Sequence, residues 1–137
     1  MNDVNLLAVL VAAVASMIIG SIWYGPLFGK QFIQAMGMDK WSPEKQAAEK
    51  KKMGMTYALQ FVGSLVMFYV LAGFIGRMGD LTLNEGVITA LWVWIGFAVP
   101  FKLAEEIWGG NMKLFWIGIG SHLVTLLAAG AIIGAWA

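Results

Sequence analysis

The sequence predicts an all-α integral membrane protein, a single domain over residues 1–137 that forms an up-down-up-down bundle of four transmembrane helices. The composition is one reason, because 60% hydrophobic and 12% charged residues, with a mean hydropathy of +0.76, are not typical of a soluble domain. The segregation of charge is the other. Asp, Glu, Lys and Arg are absent from four runs: Val4–Gly29, Met53–Gly76, Gly86–Phe101 and Leu114–Ala137. A bilayer imposes this pattern, since a charge at its centre costs about 3 kcal/mol.

The lengths of these runs set the predicted spans. About 20 residues are needed for a helix to cross the hydrocarbon core. Three runs are long enough, and the third becomes so if it begins near Leu81 and places Glu85 at the interface. The predicted spans are residues 5–24, 56–76, 81–101 and 114–136.

The first span resembles a signal peptide at Ala13-Val14-Ala15, but two features argue against cleavage. The preceding residues include Asp3 and no basic residue, and the apolar run continues well beyond the alanines. We therefore expect a retained helix. Small residues recur at every fourth position, at Ala8, Ala12, Ser16 and Gly20. This stripe favours a helix-packing seam over a pore lining.

The segment after the first span marks the membrane interface. Trp23 and Tyr24 favour that depth, Pro26 interrupts the helix, and Lys30 begins the aqueous region. Residues 30–38 keep their apolar side chains on one side, which predicts a short interfacial helix between the first two spans. A new helix is then predicted with Ser42 as N-cap and Pro43 as first residue, continuing into the second span.

The distribution of basic residues predicts the orientation. Eight of the nine Lys and Arg residues lie in the first and third connections, including Lys50, Lys51 and Lys52. The third connection, residues 102–113, is expected to be a loop in which Glu105 and Glu106 form a solvated charge cluster. By the positive-inside rule, both termini face away from the cytoplasm.

A layer of polar residues is predicted inside the membrane around His122, the single histidine of the chain. Counting 1.5 Å of rise per residue places Gln60 at the same depth as His122. Four further residues lie somewhat deeper: Ser16, Ser64, Thr89 and Thr125. They form one layer if their helix faces all turn inward.

Two interpretations of His122 remain open. It donates a hydrogen bond to Gln60 or Ser64 and holds helices together, or it belongs to a proton-sensitive or ligand-binding site. No catalytic constellation, metal site or cofactor site is evident, and cysteine chemistry is excluded by the absence of cysteine. The sequence therefore favours a protein that is not an enzyme.

The expected partners are membrane lipids and a second copy of the chain, with a dimer favoured. Gly130 and Gly134 form a GxxxG step, a weak signal for helix pairing or a homodimer seam. Nucleic acid is not expected, because the lysines are local to one connection rather than spread over a face.

Three segments resemble a known family. They are Trp23-Tyr24-x-Pro26-Leu27-Phe28-Gly29-Lys30, Gly96-Phe97-x-x-Pro100, and the run from Lys113-Leu114-Phe115 through His122-Leu123-Val124 to Gly134-x-Trp136. Together they are similar to the bacterial membrane-protein family DUF1761, a domain of unknown function. Gly25 and residues 118–121 depart from the family pattern. The resemblance implies a small four-span protein of the bacterial inner membrane and supplies no activity.

The function expected from the sequence is that of a small transporter or proton-linked permeation unit with its polar layer around His122. The alternative is a non-transporting accessory protein that binds lipid or a partner helix, and an enzyme acting on a lipid or quinone ranks third. A water-filled cavity that reaches His122 favours the first function, whereas a dry, close-packed interior excludes transport through the monomer.

Overall fold

The computed structural model describes residues 4–78 and 82–136, and these residues form helices without any strand. The α-helices are α1 (Leu6–Ile22), α2 (Gly29–Met36), α3 (Pro43–Met78), α4 (Leu83–Val93), α5 (Val99–Gly109) and α6 (Met112–Ala135). A π-helical turn, Trp23–Leu27, follows α1, and a second, Trp94–Ala98, joins α4 to α5. A short 3-10 turn, Met38–Lys40, precedes α3.

Four of the resulting helices are long and apolar enough to cross a membrane: Leu6–Leu27, Pro43–Arg77, Leu83–Gly109 and Met112–Ala135. The prediction of an all-α chain with four such helices is confirmed, and it indicates a membrane protein. A short helix also forms in the segment where an interfacial helix is predicted, as α2. Helix α3 begins at Pro43 as predicted, with the Ser42 hydroxyl accepting a hydrogen bond from the Lys45 backbone N–H at 3.2 Å.

The predicted loop over residues 102–113 is wrong, because the third long helix continues to Gly109. Lys102 and Glu106 are one helical turn apart, so their opposite charges support the helix instead of ending it. The helix stops at Gly110, whose φ of 71° is in the left-handed region. Asn111 then caps α6 by accepting a hydrogen bond from the Leu114 backbone N–H. The predicted start at Leu81 lies outside the described residues.

Helix α3 is longer than a bilayer requires. Its 36 residues extend about 54 Å, against about 30 Å for the hydrocarbon core. Every residue from Pro43 to Gln60 is exposed, and burial in the bundle begins with Phe61 and Ser64. The amino-terminal half of α3 therefore stands away from the other helices. At its other end α3 reaches Met78 and includes Arg77, so it extends beyond the predicted second span of residues 56–76.

Helix α6 is the centre of the bundle. It packs against α1, α4, α5 and part of α3. Half of the residues in its most apolar stretch are buried, the largest share among the four long helices. Its crossing with α4 is a backbone contact, because a Cβ atom added to Gly86, Gly130 or Gly134 would overlap the opposite helix. The GxxxG step at Gly130 and Gly134 thus pairs α6 with α4 of the same chain.

The hydrophobic core fills the end of the bundle where α1 begins and α6 ends, which we call the terminal end. Asn5 ties this end together, because its amide donates to the Trp136 carbonyl at 3.1 Å. The predicted seam on α1 is present here, with Ala8 and Ala12 fully buried against the core. The opposite end, which carries α2 and the α5–α6 connection, is called the loop end below.

Candidate functional site

A cleft of about 870 Å³ lies on the loop-end side of the core, where α3 stands away from the bundle. Residues of α1, α3, α5 and α6 form its walls. The polar side chains among them include Ser16, Thr56, Gln60, Ser64, Lys102, Glu105, His122 and Thr125. The aromatic ones are Tyr24, Phe32, Tyr57, Phe68 and Phe101. The cleft is therefore an apolar pocket with a small number of polar groups, the usual composition of a small-molecule site.

Five of the six residues predicted to form the polar layer line this cleft: Ser16, Gln60, Ser64, His122 and Thr125. The sixth, Thr89, is buried on α4 and does not line it. Gly20, predicted as part of the packing seam, also lines the cleft, and nothing lies within 4 Å of a Cβ added there. The stripe on α1 is thus a seam at Ala8 and Ala12 and a cleft wall at Ser16 and Gly20.

The serine hydroxyls of the layer are satisfied by their own helices. Ser16 Oγ donates to the Ala13 carbonyl at 2.7 Å, and Ser64 Oγ donates to the Gln60 carbonyl at 3.0 Å. Each hydroxyl carries one proton, so these two short bonds leave none for the 3.4 Å approach between Ser16 Oγ and Ser64 Oγ. The contact between α1 and α3 at this depth is consequently weak.

His122 and Gln60 share the cleft but do not bind each other. Both side chains are exposed, and within residues 4–78 and 82–136 no hydrogen bond joins His122 to Gln60 or Ser64. The helix-holding bond that the sequence allowed is therefore not formed. The imidazole instead belongs to the cleft wall, where a ligand or water can reach it.

Lys102 is the basic residue of the cleft wall, and sequence reasoning missed it by assigning it to a loop. Its Nζ lies 3.2 Å from Glu106 Oε1 and 3.6 Å from Glu105 Oε2. The Lys102 and Glu106 side chains are 23% and 12% exposed, whereas Glu105 is 69% exposed. The two more buried groups therefore form the principal pair. The spacing of these charges at i, i+3 and i+4 was the available signal that they lie on a helix.

Room for the lysine is provided by a glycine of α6. A Cβ atom added to Gly118 would lie 2.6 Å from Lys102 Cε, so the aliphatic part of Lys102 crosses α6 at this position. Gly120 has the same role for a different side chain, because a Cβ there would lie 2.7 Å from the Trp23 ring.

Two tryptophans attach the π-helical turns to α6. Trp23 Nε1 donates to the Ile117 carbonyl at 3.0 Å, and Trp94 Nε1 donates to the Ile119 carbonyl at 2.8 Å. Each tryptophan is the first residue of its turn. Ile117 and Ile119 are two residues apart, and successive α-helical residues are rotated by about 100°, so the two carbonyls lie on opposite sides of α6. The tryptophans thus hold α6 from two sides, one turn before His122.

Prolines explain why the helices widen at these two places. Pro26 lies inside the first π turn and Pro100 follows the second. A proline has no N–H to donate, and its ring collides with the carbonyl four residues earlier in a regular α-helix. A wider turn relieves the collision, and such turns are frequent at functional sites.

The remaining wall at the loop end is supplied by the first π turn and α2. Tyr24 packs edge-to-face on Phe32 at 4.8 Å, and both line the cleft. The Asn111 amide donates to the Ala35 carbonyl at 2.8 Å and fastens α2 beside the start of α6. Sequence reasoning placed Tyr24 at the membrane interface without seeing that it also borders a cavity. The predicted topology lysines, Lys30 and Lys50–Lys52, are exposed and do not line the cleft.

The cleft ends against the core. Phe68 and Leu126 form part of its lining and are 0% and 3% exposed, and the small and aliphatic core residues continue from there to the terminal end. The packed core therefore closes the pocket toward the terminal end.

Comparisons with known proteins agree with the resemblance noted in the sequence. The family described as "Protein of unknown function (DUF1761)" matches residues 7–134, which include both π turns and the whole cleft. No curated protein and no solved structure matches the chain. Among the described residues, no group of three or more His, Asp and Glu side chains is arranged to hold a metal ion.

Proposed function

The chain belongs to the DUF1761 family of proteins of unknown function, and from its cleft we propose that it is a small membrane transporter or permeation unit. The observation that carries the proposal is a largely apolar cleft that includes His122 and a few other polar side chains and that ends against the packed core. A volume of about 870 Å³ is suited to a small molecule, since ligand pockets measure about 300–1,000 Å³.

The orientation belongs to the same proposal. The lysines around α2 and at the start of α3 lie at the loop end, and the positive-inside rule assigns that end to the cytoplasm. The cleft then opens inward, and both termini lie on the extracytoplasmic side of the bacterial inner membrane. Impermeant thiol reagents test this assignment in a chain that has no native cysteine. Labelling of Lys51→Cys from outside intact cells would reverse it.

Transport requires the terminal end to open. The packing between helices indicates which helix can move. The crossing of α4 and α6 at Gly86 and Gly130 is a backbone contact, which makes these helices a rigid pair. The core that joins α1 to α3 combines the small Ala8 and Ala12 of α1 with larger α3 side chains such as Phe68, and beside the cleft the contact is reduced to the weak Ser16–Ser64 approach. We expect α3 to move against the rest of the bundle.

Cysteine accessibility tests the cleft. We expect Gln60→Cys and Thr125→Cys to react with an impermeant maleimide from the cytoplasmic side in inside-out vesicles. Ala72→Cys is the matched control, because Ala72 is 6% exposed in the core. Protection of all three positions from both sides would show a dry interior and overturn the proposal.

Flux separates a transporter from an accessory protein. Proteoliposomes loaded with a pH-sensitive dye receive a potassium gradient and valinomycin, and the dye response is compared with that of empty liposomes. We expect the chain to accelerate the response and maleimide on Gln60→Cys to suppress it. An accessible cleft that supports neither proton flux nor flux of the bound probe described below would leave a binding protein and exclude transport.

Membrane lipids and a second copy of the chain complete the proposal. Exposed apolar side chains surround the bundle, including Trp108 at 91% and Trp116 at 65% exposure, as expected of a lipid-facing surface. A homodimer would use such a face rather than Gly130 and Gly134, which α4 already occupies. Cross-linking in native membranes tests the dimer.

A further inference from the structure

We infer that the cleft selects an amphipathic organic cation with a single positive charge. The inference rests on the proposed inward-facing cleft and adds its ligand class. Three observations on the cleft wall carry it: the balance of its charges, the state of its lysine, and its aromatic lining.

Lys102, Glu105 and Glu106 together carry one net negative charge. Lys102 faces Glu106 at 3.2 Å and Glu105 at 3.6 Å, and His122 is counted as neutral at pH 7. Glu106 and Lys102 are the shielded members, so Glu105 is left as the carboxylate that faces the cavity. Glu105 is 69% exposed, so water screens its charge until a ligand that fills the cleft displaces that water.

An anion would have to compete for a lysine that is already occupied. Lys102 is the basic side chain among the residues that line the cleft, and its Nζ is held by two carboxylates. Freeing it would leave Glu106, only 12% exposed, without its partner. Breaking a partly buried pair in this way is costly. The exposed lysines of α3 do not line the cavity, so an anion bound there would not contact them.

The aromatic lining supplies the second half of a cation site. Tyr24, Phe32, Tyr57 and Phe101 border the same cavity as Glu105. Aromatic faces attract cations, and the attraction grows where water is excluded. The same rings and the flexible Met17 and Met67 side chains accept the apolar body of the ligand. A ligand with a delocalised positive charge and a bulky apolar frame matches both features.

A pair of ions with matched shape provides the test. Tetraphenylphosphonium and tetraphenylborate have nearly the same size and opposite charge. Their binding to the purified full-length chain is measured by equilibrium dialysis, with protein-free detergent micelles as the blank. We expect saturable binding of the phosphonium, at least tenfold tighter than that of the borate.

Charge variants then assign the selectivity to the cleft. Glu105→Gln should weaken phosphonium binding about tenfold, which is about 1.4 kcal/mol. Glu85→Gln is the matched control, since Glu85 is in the first turn of α4 and does not line the cleft. Lys102→Gln should change affinity in the opposite direction and tighten phosphonium binding. Circular dichroism and size exclusion confirm that each variant is folded before its binding is measured.

The binding experiment can fail without contradicting the proposed inward-facing cleft. Equal or tighter binding of the borate would overturn the cation class, and so would phosphonium binding that Glu105→Gln leaves unchanged. Absence of saturable binding of the phosphonium would overturn it as well. In each case, labelling of Gln60→Cys from the cytoplasmic side would still support the inward-facing cleft.

Discussion

The indole nitrogen of Trp23 lies 3.0 Å from the carbonyl oxygen of Ile117, a residue 94 positions later in the chain. Trp94 makes the equivalent bond to Ile119 at 2.8 Å from the other side of α6. The two π turns, each of which overlaps one segment of the family resemblance, are therefore bound to the third such segment, in α6. They fix the part of α6 that presents Gly118, Gly120 and His122 to their neighbours.

Trp23→Phe and Trp94→Phe should each lower the free energy of unfolding by about 1 kcal/mol, because the ring remains but the N–H···O bond is lost. The freed carbonyl still accepts the backbone N–H of its own helix, so a larger loss is not expected. Trp108→Phe is the control, since Trp108 is almost fully exposed. Denaturant unfolding in detergent measures the difference. Equal stability of all three variants would mean that the indole bonds contribute nothing.

Gly130→Ala should destabilise the chain by about 1–3 kcal/mol, because the added methyl group overlaps the α4 backbone at Gly86. Gly63→Ala is the control, and it should stabilise the chain instead of destabilising it. Nothing lies within 4 Å of a Cβ atom at Gly63, and alanine is favoured over glycine inside a helix by about 0.5–1 kcal/mol. Thermal unfolding of both variants tests the pair, and a stable Gly130→Ala protein would contradict the close crossing.

Gly120→Ala should cost more stability than Gly118→Ala, although both methyl groups meet a side chain. At Gly118 the neighbour is the flexible arm of Lys102, which can shift, whereas at Gly120 it is the Trp23 ring, fixed by its hydrogen bond. Overpacking costs less where the neighbour yields. The same unfolding assay ranks the two variants, and the reverse order would show that Lys102 is the more rigid group.

Asn111→Ala should loosen the loop end, because it removes both the cap of α6 and the bond to the Ala35 carbonyl. Loss of a helix cap costs about 1 kcal/mol, and α2 loses its attachment in addition. Faster tryptic cleavage at Lys30 and Lys40 should reveal the release of α2. Asn84→Ala, at an exposed position near the start of α4, should leave the cleavage rate unchanged.

The depth of each polar residue could be predicted from the sequence, whereas its rotation about the helix axis could not. Gln60 and His122 were placed in one layer from the rise per residue, and both line the cleft. Thr89 was placed at a suitable depth, yet its side chain is buried on α4 away from the cavity. Helix α6 is apolar on nearly all sides, so its residue pattern does not reveal which face meets α1, α4 or α5.

The charged wall of the cleft was missed for a related reason. The third span was predicted to end just before its next charged residue, Lys102. In the structure Glu106, one turn later, pairs with Lys102, and the helix continues to Gly109. The prediction of the α3 start succeeded because Ser42 and Pro43 act locally, through capping geometry that needs no partner helix. Local signals were therefore sufficient for helix starts and insufficient for the end of the third long helix.

The π turn at Trp94–Ala98 also sets the angular phase of the third long helix. Gly86 and Lys102 both contact α6, although 16 residues at 100° each would place them roughly 160° apart on a regular α-helix. The extra residue taken up by the widened turn reverses about 100° of that rotation. The π turn thus brings Gly86 and Lys102 to nearly the same face of the third long helix. One helix can therefore place a glycine in the packed crossing and a charged side chain at the cavity.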